Sequence, residues 1–296
     1  MVNQKLETKI AFFGTDEFSV FVLEELKNAG IIPDLIVTTP DRPKGRKLVL
    51  TPCEVKVWAD ENKIETLQPE KLDDNFISKI KKYECELFLV ASYGLIIPNS
   101  VLKLPKYKAL NVHPSLLPKY RGATPIETAI LNNDKETGVT VMRMDEKMDH
   151  GPILDQEVLY FENWPDKMEV LEKLARDGGR ILAQIIPEWI LGNIDEQEQE
   201  HNLATFTEKI EKSDGELNLE DDPYLNFLKY KAYKPWPGTF FFKDGKRMKI
   251  TEAEFIPSRH PEPEPKNEAR DSGSRGKFII KKVIPEGKKE ILYPSS

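Results

Sequence analysis

The chain has 296 residues, of which 39% are hydrophobic and 31% are charged, and its formal net charge is −7 at neutral pH. These values are typical of a globular protein with one large domain or two ordinary ones, and they exclude a disordered or fibrous chain. The longest apolar run, at 87–91, is far shorter than the roughly 20 residues of a membrane-spanning helix, and the start lacks a secretion signal, so we expect a cytoplasmic protein.

The first part of the chain alternates short apolar runs with longer amphipathic stretches. Residues 9–13 predict a strand, and 18–26 predict a helix whose N-cap is Thr15 or Asp16. Further strands are predicted at 35–38, 87–91 and 110–113, with helices near 54–62, 71–82 and 124–132. Because strands that alternate with helices form parallel sheets, the sequence predicts an α/β domain.

This first domain is predicted to cover residues 1–192. Strands at 139–144 and 153–161 flank a turn with the sequence EKMDHGP, and a long helix over 168–191 follows them. Residues 193–206 are acidic and polar and have no sustained apolar period. We therefore interpret them as a linker to a second domain.

The second domain is predicted to cover residues 207–296 and to be rich in β-structure. After a short helix near 224–230, strand-like segments lie at 239–242, 248–255, 278–284 and 290–292. A small β-barrel or open sheet fits this spacing. Residues 257–276 contain four prolines and almost no apolar side chains, so they predict a flexible loop.

The net charge is divided unevenly along the chain. Residues 223–296 carry 16 basic and 9 acidic side chains, a net charge of +7, which leaves −14 on residues 1–222. A basic module of this kind suits a polyanion such as a nucleic acid, although a merely solvated basic domain has the same composition.

Two kinds of cofactor are disfavoured by the sequence. The only cysteines, Cys53 and Cys85, form no C-x-x-C pair and have no histidine cluster beside them, so we predict no metal and no disulfide framework. Gly14 is the one glycine of the first strand-to-helix turn, whereas a dinucleotide-binding fingerprint needs three. A dehydrogenase is therefore the least favoured class of enzyme.

The segment Leu110 to Pro118, LNVHPSLLP, has the pattern of a strand that ends at a ligand-binding edge. Side chains alternate along a strand, so Asn111 and His113 project to the same side. Pro114 keeps His113 on extended backbone at the strand end, where open α/β sheets place their ligands. This position indicates an active site, although hydrogen-bonded structural residues are the more common reading of such a pair taken alone.

A second candidate is Asp149 in the turn Met148 to Pro152. Gly151 and Pro152 shape a turn that can hold a carboxylate rigidly. An ordinary hairpin tip is the alternative, because an Asp in a turn usually bonds to its own backbone. Of the four histidines, His113 alone has a catalytic setting.

Together these segments resemble the 10-formyltetrahydrofolate-dependent formyltransferases, whose motif is Asn-x-His-Pro-Ser-Leu-Leu-Pro followed by an Asp in a turn. More narrowly, they resemble the branch of that family that acts on methionyl-tRNA. The matching segments are GTDEFS at 14–19, PDRPKGRK at 40–47, NVHPSLLPKYRGATPIETAI at 111–130, TGVTVMRMDEKMDHGPIL at 137–154, KIEKSDGELN at 209–218 and KPWPGTF at 234–240. The resemblance implies a Rossmann-like catalytic domain, a small C-terminal domain resembling an OB-fold, and formylation of methionyl initiator tRNA, with no metal and with a monomeric enzyme expected.

The resemblance also assigns residues to roles. It makes Asn111, His113 and Asp149 the catalytic residues. It places the folate cosubstrate, 10-formyltetrahydrofolate, on Ser115, Leu116, Leu117 and Pro118. It places the acceptor stem of the tRNA against a solvated basic loop, with Arg42 as the leading contact and Lys44, Arg46 and Lys47 as phosphate partners.

The chemistry that these residues can perform is acyl transfer to an amine. Attack on the formyl carbon creates an oxyanion, to which Asn111 can donate a hydrogen bond. His113 can accept the amine proton and return one to the leaving nitrogen, or it can stabilise the oxyanion when charged, and the sequence leaves both roles open. Asp149 would orient the imidazole and favour its charged form.

Two other functions compete with this one. A formyltransferase for a sugar nucleotide or another small amine shares the Asn-His-Asp chemistry, but the basic segment at 40–47 and the positive C-terminal part argue against it. A catalytically silent RNA-binding module is disfavoured because all three chemical residues are present.

Overall fold

A computed structural model describes residues 7–44, 48–258 and 276–294 of the chain. The described residues divide into two compact units. The first is drawn from Met1–Pro125, Glu136–Tyr160 and Val170–Thr207, and the second from Ile126–Lys135, Phe161–Glu169 and Glu208–Ser296. Within these described ranges, no helix is long and apolar enough to cross a membrane.

Up to residue 191 the structure contains the predicted strands and helices, and it adds three short strands, at 42–44, 49–51 and 65–67, and one short helix, at 99–102, that the sequence did not predict. In chain order they are β1 (Ile10–Phe13), α1 (Glu17–Asn28), β2 (Leu35–Val37), β3 (Arg42–Lys44), β4 (Val49–Thr51), α2 (Glu54–Glu61), β5 (Glu65–Leu67), α3 (Asp74–Ile80), β6 (Leu87–Val90), α4 (Asn99–Leu102), β7 (Ala109–His113), α5 (Pro125–Leu131), β8 (Glu136–Arg143), β9 (Ile153–Tyr160) and α6 (Lys167–Leu191).

A seven-stranded sheet organises the first unit, with the order β5-β2-β1-β6-β7-β8-β9 among the described residues. The strands from β5 to β7 are parallel, whereas β8 and β9 pair antiparallel. Every residue of β1, β6 and β7 is buried, as expected for parallel strands covered on both faces. The predicted α/β fold class is confirmed, and so is the predicted N-cap, because the Asp16 side chain accepts a hydrogen bond from the Ser19 N–H.

Helix α6 packs closely on the sheet behind strand β7. An ideal Cβ on Gly178 would lie 2.4 Å from Cγ1 of Val112 and 2.8 Å from Cγ2 of Val139. A glycine at this point of the helix therefore allows the helix to contact β7 and β8 directly. Since Val112 faces the helix, its neighbours Asn111 and His113 must face the opposite side of the sheet.

The basic segment near residue 42 differs from the prediction. The sequence predicted a solvated loop, but Arg42–Lys44 forms strand β3, which pairs antiparallel with β4 in a separate two-stranded sheet. The prediction was wrong because neither strand has the buried apolar run that identified the others; Leu48, Val49 and Leu50 are all exposed. Pro43 is compatible with a strand here because this ribbon has free edges.

The second unit contains the C-terminal elements α7 (Pro223–Ala232), β10 (Phe240–Lys243), β11 (Lys246–Pro257), β12 (Gly276–Pro285) and β13 (Ile291–Leu292). Its four described strands pair antiparallel in chain order, which confirms the predicted β-rich character of this part. Tyr230 of α7 packs with Phe241, Ile250 and Val283 in a common apolar core.

The Pro-rich segment predicted as a flexible loop lies outside the described residues over 259–275. Its two ends are described and belong to strands, because Pro257 closes β11 opposite Gly276, which opens β12. The predicted loop, 257–276, was therefore too long at each end, because its first and last residues pair with each other in the β11–β12 ladder.

We expect Gly178→Ala to destabilise the protein. Alanine favours a helix over glycine by about 1 kcal/mol, but overpacking a core costs about 1–3 kcal/mol, so the free energy of unfolding should fall by up to about 2 kcal/mol. Urea unfolding of Gly178→Ala in the wild-type and Val112→Ala backgrounds measures this effect. The cost should shrink when Val112 is truncated; an equal cost in both backgrounds would contradict the close contact.

Candidate active site

Strand β7 carries two polar side chains into a buried position. Asn111 is 8% exposed and His113 is 4% exposed, although both lie on a central strand of the sheet. Asn111 pairs with Met142 and His113 with Thr140 across the β7–β8 ladder. Polar side chains at such positions need a partner or a purpose, because burying an unpaired polar group costs free energy.

The imidazole of His113 has one nitrogen hydrogen-bonded and one facing a carboxylate. Nε2 lies 3.0 Å from the backbone oxygen of Tyr120, and Nδ1 lies 3.7 Å from Oδ2 of Asp149. A carbonyl oxygen can only accept, so Nε2 must carry the hydrogen of this bond. The neutral ring therefore keeps its lone pair on Nδ1, and a proton gained there would lie beside the carboxylate.

Asp149 occupies a tight turn in a backbone conformation that residues with a side chain rarely adopt. Its φ is 48°, and its Oδ2 accepts a hydrogen bond of 2.8 Å from the Gly122 N–H. At Gly151 an ideal Cβ would lie only 2.0 Å from the backbone oxygen of Arg143, so this position requires glycine. The turn thus fixes the carboxylate near the imidazole of His113.

The amide of Asn111 is not used to hold the fold together. Among the residues that the structure describes, no group is hydrogen-bonded to its side chain. The site thus combines an available amide donor, an imidazole with an open nitrogen and a fixed carboxylate. This set can stabilise a developing oxyanion and move a proton, which is what acyl transfer to an amine requires.

The segment after strand β7 is fixed by hydrogen bonds with side chains of β8 and β9. The Thr140 hydroxyl donates to the backbone oxygen of Ser115 at 2.6 Å and accepts from the Leu117 N–H at 3.2 Å. The amide of Gln156 donates to the backbone oxygen of Leu117 at 2.9 Å. Ser115 is fully buried, and its hydroxyl donates to the backbone oxygen of Lys119.

The four residues predicted to bind folate are not equally accessible. Leu117 is buried in an apolar cluster with Met142 and Ile153, and Ser115 is buried as well. Leu116 and Pro118 are half-buried. A ligand over this segment would therefore contact the side chains of Leu116 and Pro118, so the folate site stays a prediction with those two as its side-chain contacts.

Of the four predicted tRNA contacts, Arg42 and the backbone of Lys44 lie on strand β3 of the β3–β4 ribbon and not on the central sheet. Arg42 is exposed, whereas the side chain of Lys44 and all of Arg46 and Lys47 lie outside what the structure describes. The entry to the ribbon is fixed, because the Gln68 amide donates to the backbone oxygen of Thr39 at 3.1 Å and to Oδ1 of Asp41 at 2.7 Å. The backbone directly before Arg42 is therefore fixed in position.

Two buried polar residues next to the site were missed by the sequence analysis. Arg121 is 4% exposed and Gln199 is 5% exposed, and Nη2 of the guanidinium donates to Oε1 of Gln199 at 2.7 Å. Burial lowers the pKa of Arg121, and the charges of Asp149 and Asp145 oppose that shift. Gln199 lies in the segment interpreted as a linker, whose polar composition gave no signal of burial.

No cluster of three or more histidine, cysteine, aspartate or glutamate side chains suited to a metal ion occurs within the described ranges. Cys53 and Cys85 are both free thiols. Burial raises the pKa of Cys85 to about 12, so this thiol stays protonated at neutral pH.

Comparisons with known proteins identify the family. A family model described as formyl transferase matches residues 8–186, and one described as formyl transferase, C-terminal domain, matches residues 209–291. The chain is also 40% identical over 298 residues to a methionyl-tRNA formyltransferase of Halalkalibacterium halodurans, an alignment that covers 96% of this chain and 92% of that protein. The resemblance inferred from the motifs is confirmed.

Solved structures share the fold at lower identity. A crystal structure of the N-formyltransferase from Helicobacter canadensis, in complex with folinic acid and dTDP-3-aminofucose, has a TM-score of 0.65 at 18% identity and covers 92% of this chain and 98% of its own. A methionyl-tRNA formyltransferase from Clostridium thermocellum has a TM-score of 0.57 at 17% identity, with 97% and 100% covered. At these identities the comparison establishes the fold alone.

We expect Asp149→Asn to leave the fold almost as stable as the wild type, whereas Asp149→Ala should destabilise it. Asparagine tolerates a positive φ and keeps an acceptor for the Gly122 N–H. Alanine leaves that donor unpaired, at about 1–3 kcal/mol, and adds about 1–2 kcal/mol of backbone strain.

Urea unfolding of these two variants and of Asp149→Gly would measure the two contributions separately. Glycine removes the hydrogen bond without adding the strain, so its destabilisation should lie between those of asparagine and alanine. Equal destabilisation by asparagine and alanine would show that neither the acceptor nor the backbone conformation of Asp149 matters to the turn.

Proposed function

Because the chain belongs to the formyltransferase family, we propose that it transfers the formyl group of 10-formyltetrahydrofolate to the amino group of methionyl initiator tRNA, in support of translation initiation. The observation that supports this most strongly is the 40% identity to a methionyl-tRNA formyltransferase over 96% of the chain. Asn111, His113 and Asp149 would supply the chemistry, since Asn111 and His113 share one side of strand β7 and Nδ1 of His113 faces the carboxylate of Asp149.

An amino sugar nucleotide is the competing acceptor. The structure in complex with dTDP-3-aminofucose has the higher TM-score, 0.65 against 0.57 for the methionyl-tRNA formyltransferase. Both values describe a fold that the two kinds of enzyme share, at 17–18% identity. Sequence identity of 40% over almost the full length separates the two acceptors better, and it favours tRNA.

The reaction forms one C–N bond and breaks another. The amino nitrogen of the methionyl group attacks the formyl carbon, the carbonyl oxygen takes the negative charge, and the bond to N10 of the folate then breaks. One proton leaves the attacking nitrogen and one arrives on N10. The products are formylmethionyl-tRNA and tetrahydrofolate, and no oxidant, reductant or covalent enzyme intermediate is needed.

His113 would move the proton through Nδ1. Its Nε2–H is engaged with the Tyr120 carbonyl, so the lone pair on Nδ1 is the available base. When Nδ1 gains a proton, the carboxylate of Asp149 stabilises the resulting imidazolium. The same proton can then be donated to the leaving nitrogen, which makes one side chain serve as base and acid in turn.

Asn111 would hold the oxyanion. Its amide is nearly buried, so a hydrogen bond that it donates there is not weakened by competing water. Removing one such donor typically costs about a hundredfold to a thousandfold in rate. We further propose that Ser115, Leu116, Leu117 and Pro118 line the folate site, with Leu116 and Pro118 supplying apolar side-chain contacts.

The tRNA would bind through basic groups on two separate parts of the chain. In the first unit these are Arg42, Lys44, Arg46 and Lys47 of the ribbon segment. In the second unit, exposed basic side chains line β10 and β11: Lys243, Lys246, Arg247 and Lys249. Such contacts to phosphates position an RNA without reading its sequence.

We also propose the organisation in which the enzyme works. Residues 1–192 would form the catalytic domain, 193–206 the connecting segment and 207–296 the tRNA-binding domain, in a monomer that acts in the cytoplasm where translation begins. The separate family models over 8–186 and 209–291 support a division close to these boundaries.

We expect formyl transfer to methionyl initiator tRNA and little transfer to free methionine or to an amino sugar nucleotide, because the basic surfaces select a polyanionic acceptor. The measurement is formylated product formed from 10-formyltetrahydrofolate with each acceptor in turn. Asn111→Ala serves as the control and should reduce turnover by about a hundredfold to a thousandfold. Equal transfer to all three acceptors would rule out tRNA as the specific substrate.

We expect Arg42→Gln to weaken tRNA binding while leaving folate binding unchanged, since Arg42 is exposed on the ribbon. The plot of log affinity against log salt has a negative slope. If Arg42 neutralises one phosphate in the wild type, the magnitude of this slope should be smaller by about 0.7–0.9 in the variant. Lys79→Gln is the matched control, because Lys79 is an exposed basic residue on helix α3. If both variants shift binding equally, the effect of Arg42 comes from net charge and not from a direct interaction with the tRNA.

A further inference from the structure

The segment interpreted as a linker contacts the active-site region closely. At one end, the backbone of Gln197 exchanges two hydrogen bonds with Ile153, at 2.8 and 2.9 Å. At the other end, Arg121 donates its N–H to the oxygen of Thr205 at 2.9 Å, and its own oxygen accepts from the Thr207 N–H at 2.8 Å. All of these residues belong to the first unit.

Between these two attachments, the side chain of Gln199 is buried and fully hydrogen-bonded. Its Nε2 donates to the backbone oxygen of Asp149 at 2.9 Å and to that of Gly151 at 2.7 Å. Its Oε1 accepts from Nη2 of Arg121 at 2.7 Å and from Nε at 3.2 Å. One amide therefore satisfies two backbone oxygens of the Asp149 turn and ties them to a buried guanidinium.

The Asp149 turn, to which Gln199 is hydrogen-bonded, has a backbone conformation that needs stabilising contacts. Asp149 adopts a φ of 48°, a conformation that most residues with a side chain avoid and that Asp and Asn tolerate better than others. Such conformations persist only where the surroundings fix them. The two backbone oxygens that accept from Gln199 belong to the residues before and after His150. These two hydrogen bonds therefore restrain the backbone that orients the Asp149 carboxylate toward His113.

The same network reaches His113 through three consecutive residues. The backbone oxygen of Tyr120 accepts from Nε2 of His113, and the N–H of Gly122 donates to Oδ2 of Asp149. Arg121, between them, holds the amide of Gln199. The partners of the imidazole and of the carboxylate are thus set by one short stretch of backbone.

We propose that Gln199 is a positioning residue for formyl transfer, which acts by holding the Asp149 turn so that the carboxylate faces Nδ1 of His113. This inference rests on the proposed function and on the role given there to Asp149. Gln199 is buried, and its side-chain hydrogen bonds are to Arg121 and to the backbone of the Asp149 turn, so it would act through them and not on the reacting atoms. The segment 197–207 is, on this view, part of the catalytic apparatus and not only a connection.

Two substitutions separate the bonds that Gln199 makes. Gln199→Leu removes all of them at similar volume. Gln199→Glu keeps an acceptor for Arg121 but places a carboxylate against the oxygens of Asp149 and Gly151. The matched control is Gln197→Ala, which lies two residues away in the same segment and has an exposed side chain.

We expect both Gln199 variants to reduce kcat by about tenfold to a hundredfold, because small misplacements of catalytic groups have effects of this size. The KM for 10-formyltetrahydrofolate should stay within about twofold, since neither substitution alters a residue of the folate site. Gln197→Ala should match the wild type. A change in KM alone, or a Gln199→Glu variant with wild-type kcat, would overturn the proposal.

A double-mutant cycle distinguishes positioning from a general loss of stability. If Gln199 acts through Asp149, Gln199→Leu should change the residual kcat of Asp149→Asn, the variant expected to keep the turn intact, by less than about twofold. A structural role would multiply the two effects instead. Should Gln199→Leu melt below the assay temperature, the same cycle is run with Gln199→Glu.

Hydrogen–deuterium exchange tests the positioning without the reaction. Peptides covering 145–152 should exchange at least about tenfold faster in Gln199→Leu than in the wild type. The reason is that the free energy of local opening falls when the hydrogen bonds from Gln199 to the turn are removed. Gln197→Ala should show no change. Unchanged exchange at 145–152 would refute the positioning role of Gln199, even if the enzyme formylates tRNA. A wild-type protein that does not transfer the formyl group would refute the proposed function alone.

Discussion

The site depends on the packing of strand β7, which is held by β6 and β8 at its edges and by helix α6 on one face. Val112 takes the face against Gly178, and the alternation of side chains then leaves the other face to Asn111 and His113. A buried strand has little freedom to move, so two polar side chains two residues apart keep a constant separation. The proposed catalytic side chains Asn111 and His113 therefore lie on a strand that is buried at every residue, as good positioning requires.

The third chemical group comes from a less regular part of the chain and needs other support. Asp149 lies after β8 in a turn with a positive φ, and its carboxylate is restrained by the Gly122 N–H and its backbone by the Gln199 amide. Gly151 makes this turn possible, since it fits against the oxygen of Arg143 where no side chain could. The strand supplies rigidity by packing, whereas the turn obtains it from hydrogen bonds.

The sequence predicts the parts of this arrangement whose signals are local. Continuous apolar runs identify the central strands, and the period of two places Asn111 and His113 on one side. Strand β3 and the burial of Gln199 were missed because their causes are not local: β3 is an exposed ribbon without an apolar run, and Gln199 is buried by partners about 50 and 80 positions away in the chain. A polar residue in a polar segment gives no sign that it will be enclosed.

The fold alone does not determine the acceptor, because an N-formyltransferase solved in complex with dTDP-3-aminofucose shares it. Residues 1–222 bear a net charge of −14, which opposes a polyanion at long range, yet the proposed substrate is an RNA. At physiological salt, charges more than about 8 Å apart are largely screened, so close pairs decide binding more than net charge does. In the proposed complex, Arg42 on its ribbon and the exposed lysines of β10 and β11 would meet that requirement, since each is exposed to an approaching phosphate. Carboxylates farther from that phosphate than the screening distance would oppose binding only weakly.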